Sequence, residues 1–174
     1  MLRPAARVGA EARDGMSEIR PATTAAEIAA VQALFHEYAG TLDVDLGYQG
    51  FANEVAALPG DYAPPRGALL LAGDAAAPLG CVALRPLDWP HAAELKRLYV
   101  APAGRGRGLG VRLTKAALAI ATSIGYERIC LDTLPSMAAA QRLYESLGFR
   151  DVAPYRFSPV PGTRYMERSL GRAR

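Results

Sequence analysis

Apolar positions change their spacing several times along this chain, and each change marks an element. Ser17–Ala22 is short, partly alternating and interrupted by Pro21, which predicts a strand at or near a sheet edge. Thr24 with Glu27 three residues later forms a capping box. Ile28, Val31, Phe35 and Tyr38 then recur at helical spacing as far as Gly40. A looser amphipathic pattern over Asp43–Leu58 predicts a second helix ending at Pro59-Gly60, and Asp61–Gly67 reads as loop. In Ala68–Leu87 two apolar runs flank a Gly-Asp turn, a hairpin signal, and Ala92–Val100 adds a third strand to the meander. A Gly/Arg loop, Ala101–Gly110, feeds a helix carrying Val111, Leu113, Ala117, Leu118 and Ile120 and closed by Gly125. Arg128–Asp132 is a short buried strand. A helix starting at Pro135-Ser136 follows, with Ala140, Leu143, Tyr144 and Leu147 on one stripe and Gly148 as its stop. Phe149–Leu170 alternates enough for two strands around Ser158–Thr163. Strand, two helices, three antiparallel strands, helix, strand, helix and two strands make an α/β or α+β domain on a mixed sheet.

Composition narrows this picture without changing it. The 174 residues suit one domain, and 51% hydrophobic with 21% charged residues excludes wholesale disorder. Only two cysteines, Cys81 and Cys130, both in apolar runs, exclude a disulfide framework or a Cys-rich zinc site. Arginine supplies nearly all the basic charge, since Lys96 and Lys115 are the only lysines. That suits a phosphate ligand, although genomic base composition favours arginine equally well. No apolar stretch approaches the ~20 residues of a membrane span. Residues 1–15 lack the apolar segment of a secretory signal and are expected to be a disordered extension, with residues 16–174 as the domain and a cytoplasmic location.

The most informative segment is Arg105-Gly106-Arg107-Gly108-Leu109-Gly110, between a strand and a helix. Its glycines free backbone N–H groups to converge, the helix N-terminus adds about half a positive charge, and Arg105 and Arg107 add charge-assisted bonds. These features point to a phosphate or pyrophosphate. A Walker loop is excluded because Val111 and Arg112 follow Gly110. The dinucleotide fingerprint lacks its third glycine, although Asp132 stands about 20 residues on, where a ribose-binding acid would lie. A solvated Gly/Arg surface turn is the plain alternative.

Arg105, Gly108 and Gly110 match the Arg/Gln-x-x-Gly-x-Gly/Ala signature of the GNAT superfamily of N-acetyltransferases. The flanks ELKRLYVAPAGRGRGLG and RLYESLGF (Arg142–Phe149) also resemble that family. The resemblance covers Ile19–Leu170. It implies a GNAT-like fold with splayed central strands and transfer of acetyl from acetyl-CoA to a primary amine of a small molecule or peptide, by direct attack and without a metal. Residues Arg105, Gly106, Arg107, Gly108, Leu109 and Gly110 would hold the pyrophosphate, and Leu98, Tyr99 and Val100 the pantetheine arm. Ser136 stands where relatives commonly place an asparagine that contacts the cofactor.

Two residues take catalytic roles in this reading. Glu94 matches a glutamate that serves as base in some relatives, and period-two alternation places it on one face with Lys96 and Leu98. It serves equally well as an ion-pair partner of Lys96 or another surface cation. Tyr144 matches a tyrosine assigned to protonate the departing thiolate, while its apolar stripe also suits a core phenol. Asp43, Asp45, Tyr48, Phe51, Glu54 and Tyr62 are expected to wall the acceptor pocket, with Trp89, His91, Tyr155 and Tyr165 on the same side. Carboxylates among aromatics would attract a cationic amine. A non-catalytic module binding CoA or another phosphorylated ligand is the alternative. Neither nucleic acid nor membrane is expected as a partner, and a homodimer is allowed.

Overall fold

The computed structural model describes residues 17–171, so the expectation for residues 1–15 lies outside the described residues. The capping box forms as read: the Glu27 N–H donates to Thr24 Oγ1, the Thr24 N–H donates to the Glu27 carboxylate, and α1 (Ala25–Gly40) follows. Strands β1 (Ile19–Pro21), β2 (Ala68–Asp74), β3 (Ala77–Pro86) and β4 (Ala92–Val100) form an antiparallel meander. Next come α3 (Leu109–Ile124), β5 (Arg128–Thr133), α4 (Ala138–Ser146), β6 (Arg150–Asp151) and β7 (Arg164–Ser169), while the short α2 (Phe51–Ala56) precedes β2. The seven strands lie in the order β1-β2-β3-β4-β5-β7-β6, and β4–β5 is the parallel pair.

Helices cover both faces, which is why β2 reads as an unbroken apolar run. Leu69 and Leu71 pack with Val31, Leu34 and Phe35 of α1 on one face. On the other, Leu70 and Ala72 pack with Leu113 and Ala117 of α3. Cys81 and Cys130 are buried free thiols.

Two segments depart from the sequence reading. The helix expected over Asp43–Leu58 is split. The Asp45 carboxylate accepts the Gly47 N–H at 2.7 Å and starts a single 3₁₀ turn, Leu46–Gln49, and Gly50 then adopts a left-handed conformation (φ 70°) before α2 begins. In the tail, β6 is only two residues long. The following loop leaves the sheet edge, and the Tyr155 hydroxyl bonds to Glu94 instead of continuing the ladder.

A third departure shapes the site. Between the pairs Ala83↔Lys96 and Cys81↔Tyr99, β4 carries one more residue than β3, and Arg97 sits at φ 58°. This β-bulge inverts the alternation beyond it. Leu98 therefore packs with Leu95 and Ala93 on the α3 face, while Tyr99 packs on the α1 face. The expectation that Glu94, Lys96 and Leu98 share a face holds only for the first two. A left-handed arginine costs roughly 1–2 kcal/mol. Arg97 meets that cost with a buried ion pair, donating Nη2 to Glu54 Oε2 at 2.6 Å, and with a guanidinium 5.1 Å from the Phe51 ring. The Tyr62 hydroxyl donates to the same Glu54 carboxylate.

Removing Glu54 would leave the Arg97 charge buried and uncompensated. Glu54→Ala is expected to lower unfolding free energy by about 3–5 kcal/mol in urea denaturation. A loss within about 0.5 kcal/mol, ordinary for a surface substitution, would refute this role.

Candidate active site

Parallel pairing between β4 and β5 lasts only from Ala92↔Arg128 to Glu94↔Cys130. Beyond Glu94 the strands diverge: β4 keeps its partner β3 and β5 keeps β7, so the facing edges from Leu95 and from Leu131 onward are unpaired with each other. Three neighbouring clefts occupy this region. A groove of about 610 Å³ is lined by Leu98, Tyr99 and Val100 of β4, Arg105, Gly110 of α3, Ser136, and Ala140 and Leu143 of α4. Through Tyr38, Leu98 and Met137 it adjoins a narrow space of about 30 Å³ in the splay itself, lined by Lys96, Asp132, Thr133 and Tyr144. Gln49 lines both that space and a third cleft of about 380 Å³, whose other walls include Tyr48, Trp89, Tyr155, Arg156 and Phe157.

At the end of the groove the Gly/Arg loop has the backbone an anion requires. Gly106 (φ 76°) and Gly108 (φ 65°) are left-handed, and Gly108 is the N-cap of the sixteen-residue α3. No side chain caps that end and no acid lies in its first turn, so the helix dipole and its free N–H groups are available to a ligand. Arg105, Gly106, Arg107 and Gly108 are exposed, whereas the Leu109 side chain is buried in the core, so only its backbone can take part. A Cβ on Gly110 would meet Leu143 Cδ1 at 3.1 Å, which makes that position the close approach of α3 to α4.

Tyr144 lies where either reading of its position can apply. Its ring packs 5.6 Å from that of Phe149 in the core, and the residue lines the splay. Burial raises its pKa, so it holds its proton firmly. Beside it on the splay, Thr133 Oγ1 is buried and finds no hydrogen-bond partner among the described residues.

Glu94 is buried among positive charges. Its side chain is 0% exposed. Oε2 accepts Arg85 Nε at 2.9 Å and lies 2.8 Å from its Nη2, and Oε1 accepts the Tyr155 hydroxyl at 2.8 Å and forms an ion pair with Arg156 Nη2 at 2.6 Å. Burial alone would raise its pKa, but the positive charges of Lys96, Arg156 and Arg85 outweigh this and hold it below the usual carboxylate range. Lys96 makes no ion pair with it. Instead Lys96 Nζ donates to Gln49 Oε1 at 3.2 Å and lies 3.9 Å from Asp132 Oδ1. Burial is the main influence on Lys96 and brings its pKa down to about 8, against the opposing pull of Glu94 and Asp132.

The expected acceptor wall is only partly assembled. Tyr48, Trp89 and Tyr155 line the third cleft, with the Trp89–Tyr155 and Tyr155–Tyr165 ring pairs each at 5.3 Å. Asp43 lines the groove on the other side, Asp45 is spent on its turn, Glu54 is neutralised by Arg97, and His91 is exposed. The reading missed Gln49, Thr133 and Arg156, and it gave Asp132 a different part. The one available signal was a lysine inside an apolar strand, in a chain that uses arginine almost throughout.

Residues 31–149 match the family model for the acetyltransferase (GNAT) family. The chain belongs to the GNAT family. An uncharacterised N-acetyltransferase of Schizosaccharomyces pombe, C1271.07c, is 39% identical over 140 residues, covering 80% of this chain and 86% of that protein. An N-acetylaspartate synthetase of Xenopus tropicalis is 37% identical over 84 residues, 48% of this chain and 31% of the relative. Among solved structures, a GNAT-family acetyltransferase from Staphylococcus aureus superposes with a TM-score of 0.73 at 19% identity, covering 88% of this chain and 98% of that one. The protein yncA from Salmonella typhimurium, solved with its cofactor acetyl-CoA, gives 0.65 at 22% identity over 90% and 95%. This GNAT protein is thus an acetyl-CoA-dependent acetyltransferase. The groove, the uncapped helix end and the orphan Thr133 hydroxyl suit a long ligand with a diphosphate at one end and a thioester at the other.

Replacing Arg105 and Gly108 together by alanine removes a charged donor and forces a side chain into a left-handed site. Acetyl-CoA affinity by calorimetry is expected to fall roughly tenfold or more. Affinity equal to the parent would take the loop out of the site.

Proposed function

We propose that this enzyme moves the acetyl group of acetyl-CoA directly to a primary amine of a small molecule or peptide, both substrates being bound together. The observation that carries this reading is the gap between β4 and β5, which adjoins the long groove through Tyr38, Leu98 and Met137 and the aromatic cleft through Gln49. A thioester laid in the groove and an amine entering from the cleft would meet in the splay, in the proximity a bimolecular step needs.

The amine has to be neutral when it attacks. For an alkylamine with a pKa near 10.4, that costs about 4 kcal/mol at pH 7. In our reading Lys96 takes the proton: it lines the splay, is held by Gln49 and Asp132, and is half neutral near pH 8. Glu94, bound by two guanidinium groups and a phenol, fixes the acceptor wall in place of the base role expected from the sequence. Tyr144, protonated throughout, donates its hydroxyl to the sulfur as the carbon–sulfur bond breaks and stabilises the leaving thiolate. The backbone of Leu98, Tyr99 and Val100 would align the pantetheine arm along the unpaired edge of β4, and Ser136 would close the groove from the start of α4.

Tyr144→Phe is expected to lower kcat by about 10²-fold with little change in KM for acetyl-CoA, measured by thiol release. Unchanged turnover would leave Tyr144 as a core residue only. Since the base must be unprotonated, kcat/KM should rise with pH through about 8, and Lys96→Met should remove that limb. A Lys96→Met profile that keeps the limb would place the base elsewhere.

A further inference from the structure

The charges around the third cleft specify more than an amine. Glu94 carries one negative charge but is bound by two guanidinium groups, so the trio Arg85–Glu94–Arg156 holds one positive charge in excess. The two arginines are placed differently. Arg85 directs both Nε and Nη2 to one Glu94 oxygen and borders a separate cleft that also contains Glu54 and Asp61. Arg156 gives Glu94 only Nη2, its side chain is 26% exposed, and it lines the aromatic cleft. The fork of an arginine offers five donors, and among the described residues only Nη2 faces a carboxylate. Asp88, the acid on that cleft, is exposed and makes no ion pair with Arg156.

A partly desolvated surplus cation is costly unless a counter-charge meets it, and a guanidinium fork matches a carboxylate in shape. We propose that the acceptor is an amino acid-like molecule whose carboxylate binds Arg156 while its amino group reaches the splay past Gln49. This rests on the reading of the splay as an amine-acetylating site and adds the second recognition group. Trp89 and Tyr155 form an aromatic wall there, and Phe157, 81% exposed, stands at the same cleft, so the rest of the acceptor meets apolar surface. The balance of charge is thereby reversed from the sequence expectation: Glu54 is neutralised by Arg97, Asp45 caps its own turn, Asp43 lines the other groove, and the surplus charge of the Arg85–Glu94–Arg156 trio is positive.

Matched acceptors separate the two levels of the claim. Phenylalanine, phenylalaninamide and phenethylamine, with the corresponding methionine set, are assayed by thiol release with the wild-type protein. The free acids are expected to exceed their amides and amines in kcat/KM by roughly 10–100-fold, the worth of a hydrogen-bonded charge. Amides or amines that equal the acids would overturn the carboxylate site and leave the acetyltransfer reading intact. Thiol release with none of the acceptors, together with equal calorimetric affinity of the enzyme–CoA complex for N-acetylphenylalanine and its amide, would overturn both. Arg156→Gln should raise KM for the acid at least about tenfold more than KM for the amide, with Arg156→Lys in between. An equal rise for acid and amide would reduce Arg156 to a support for Glu94.

Discussion

The early end of the β4–β5 pairing is the constraint on which the rest of this molecule depends. Three parallel register pairs hold the two halves of the sheet together, and then the strands part. A parted sheet exposes backbone donors and acceptors and opens both faces to one another, which an unbroken sheet would prevent. The bulge at Arg97 belongs to the same arrangement, because the extra residue turns Leu98 toward the groove and Tyr99 toward α1. Its left-handed backbone is kept by an ion pair to Glu54 on α2, so the short second helix has a part in shaping the active strand.

Around this gap the buried charges are arranged in sequence. Glu54 serves Arg97, Glu94 serves Arg85 and Arg156, and Asp132 lies nearest Lys96. Each of these three acids has a cationic neighbour. The two groups left with chemical latitude are Lys96, whose proton affinity burial has lowered, and Arg156, which shares its carboxylate with another arginine. Buried polar clusters of this kind are costly when incomplete, and here the incomplete places coincide with the walls of the clefts.

Much of this was legible in the chain. The capping box, the meander, the Gly/Arg loop before α3 and the stripe of α4 are local patterns, and local patterns survive folding because neighbouring residues create them. The family resemblance likewise rested on two contiguous blocks. Where the reading failed, the cause was specific: Gly50 broke a helix that amphipathicity alone would continue, and an extra residue in β4 inverted an alternation that had no visible interruption.

Sequence alone determined the order of elements, the Gly/Arg turn before α3 and the place of the tyrosine on the α4 stripe, since each depends on residues within a few positions of one another. Tertiary structure decided which groups surround Glu94. Its partners Arg85, Tyr155 and Arg156 come from β3 and from the loop after β6, with Tyr155 61 positions away along the chain. No periodicity records such a meeting. The protonation and reach of a buried carboxylate are set by whatever charges the fold brings within a few ångströms, and only the packed molecule determines which charges those are.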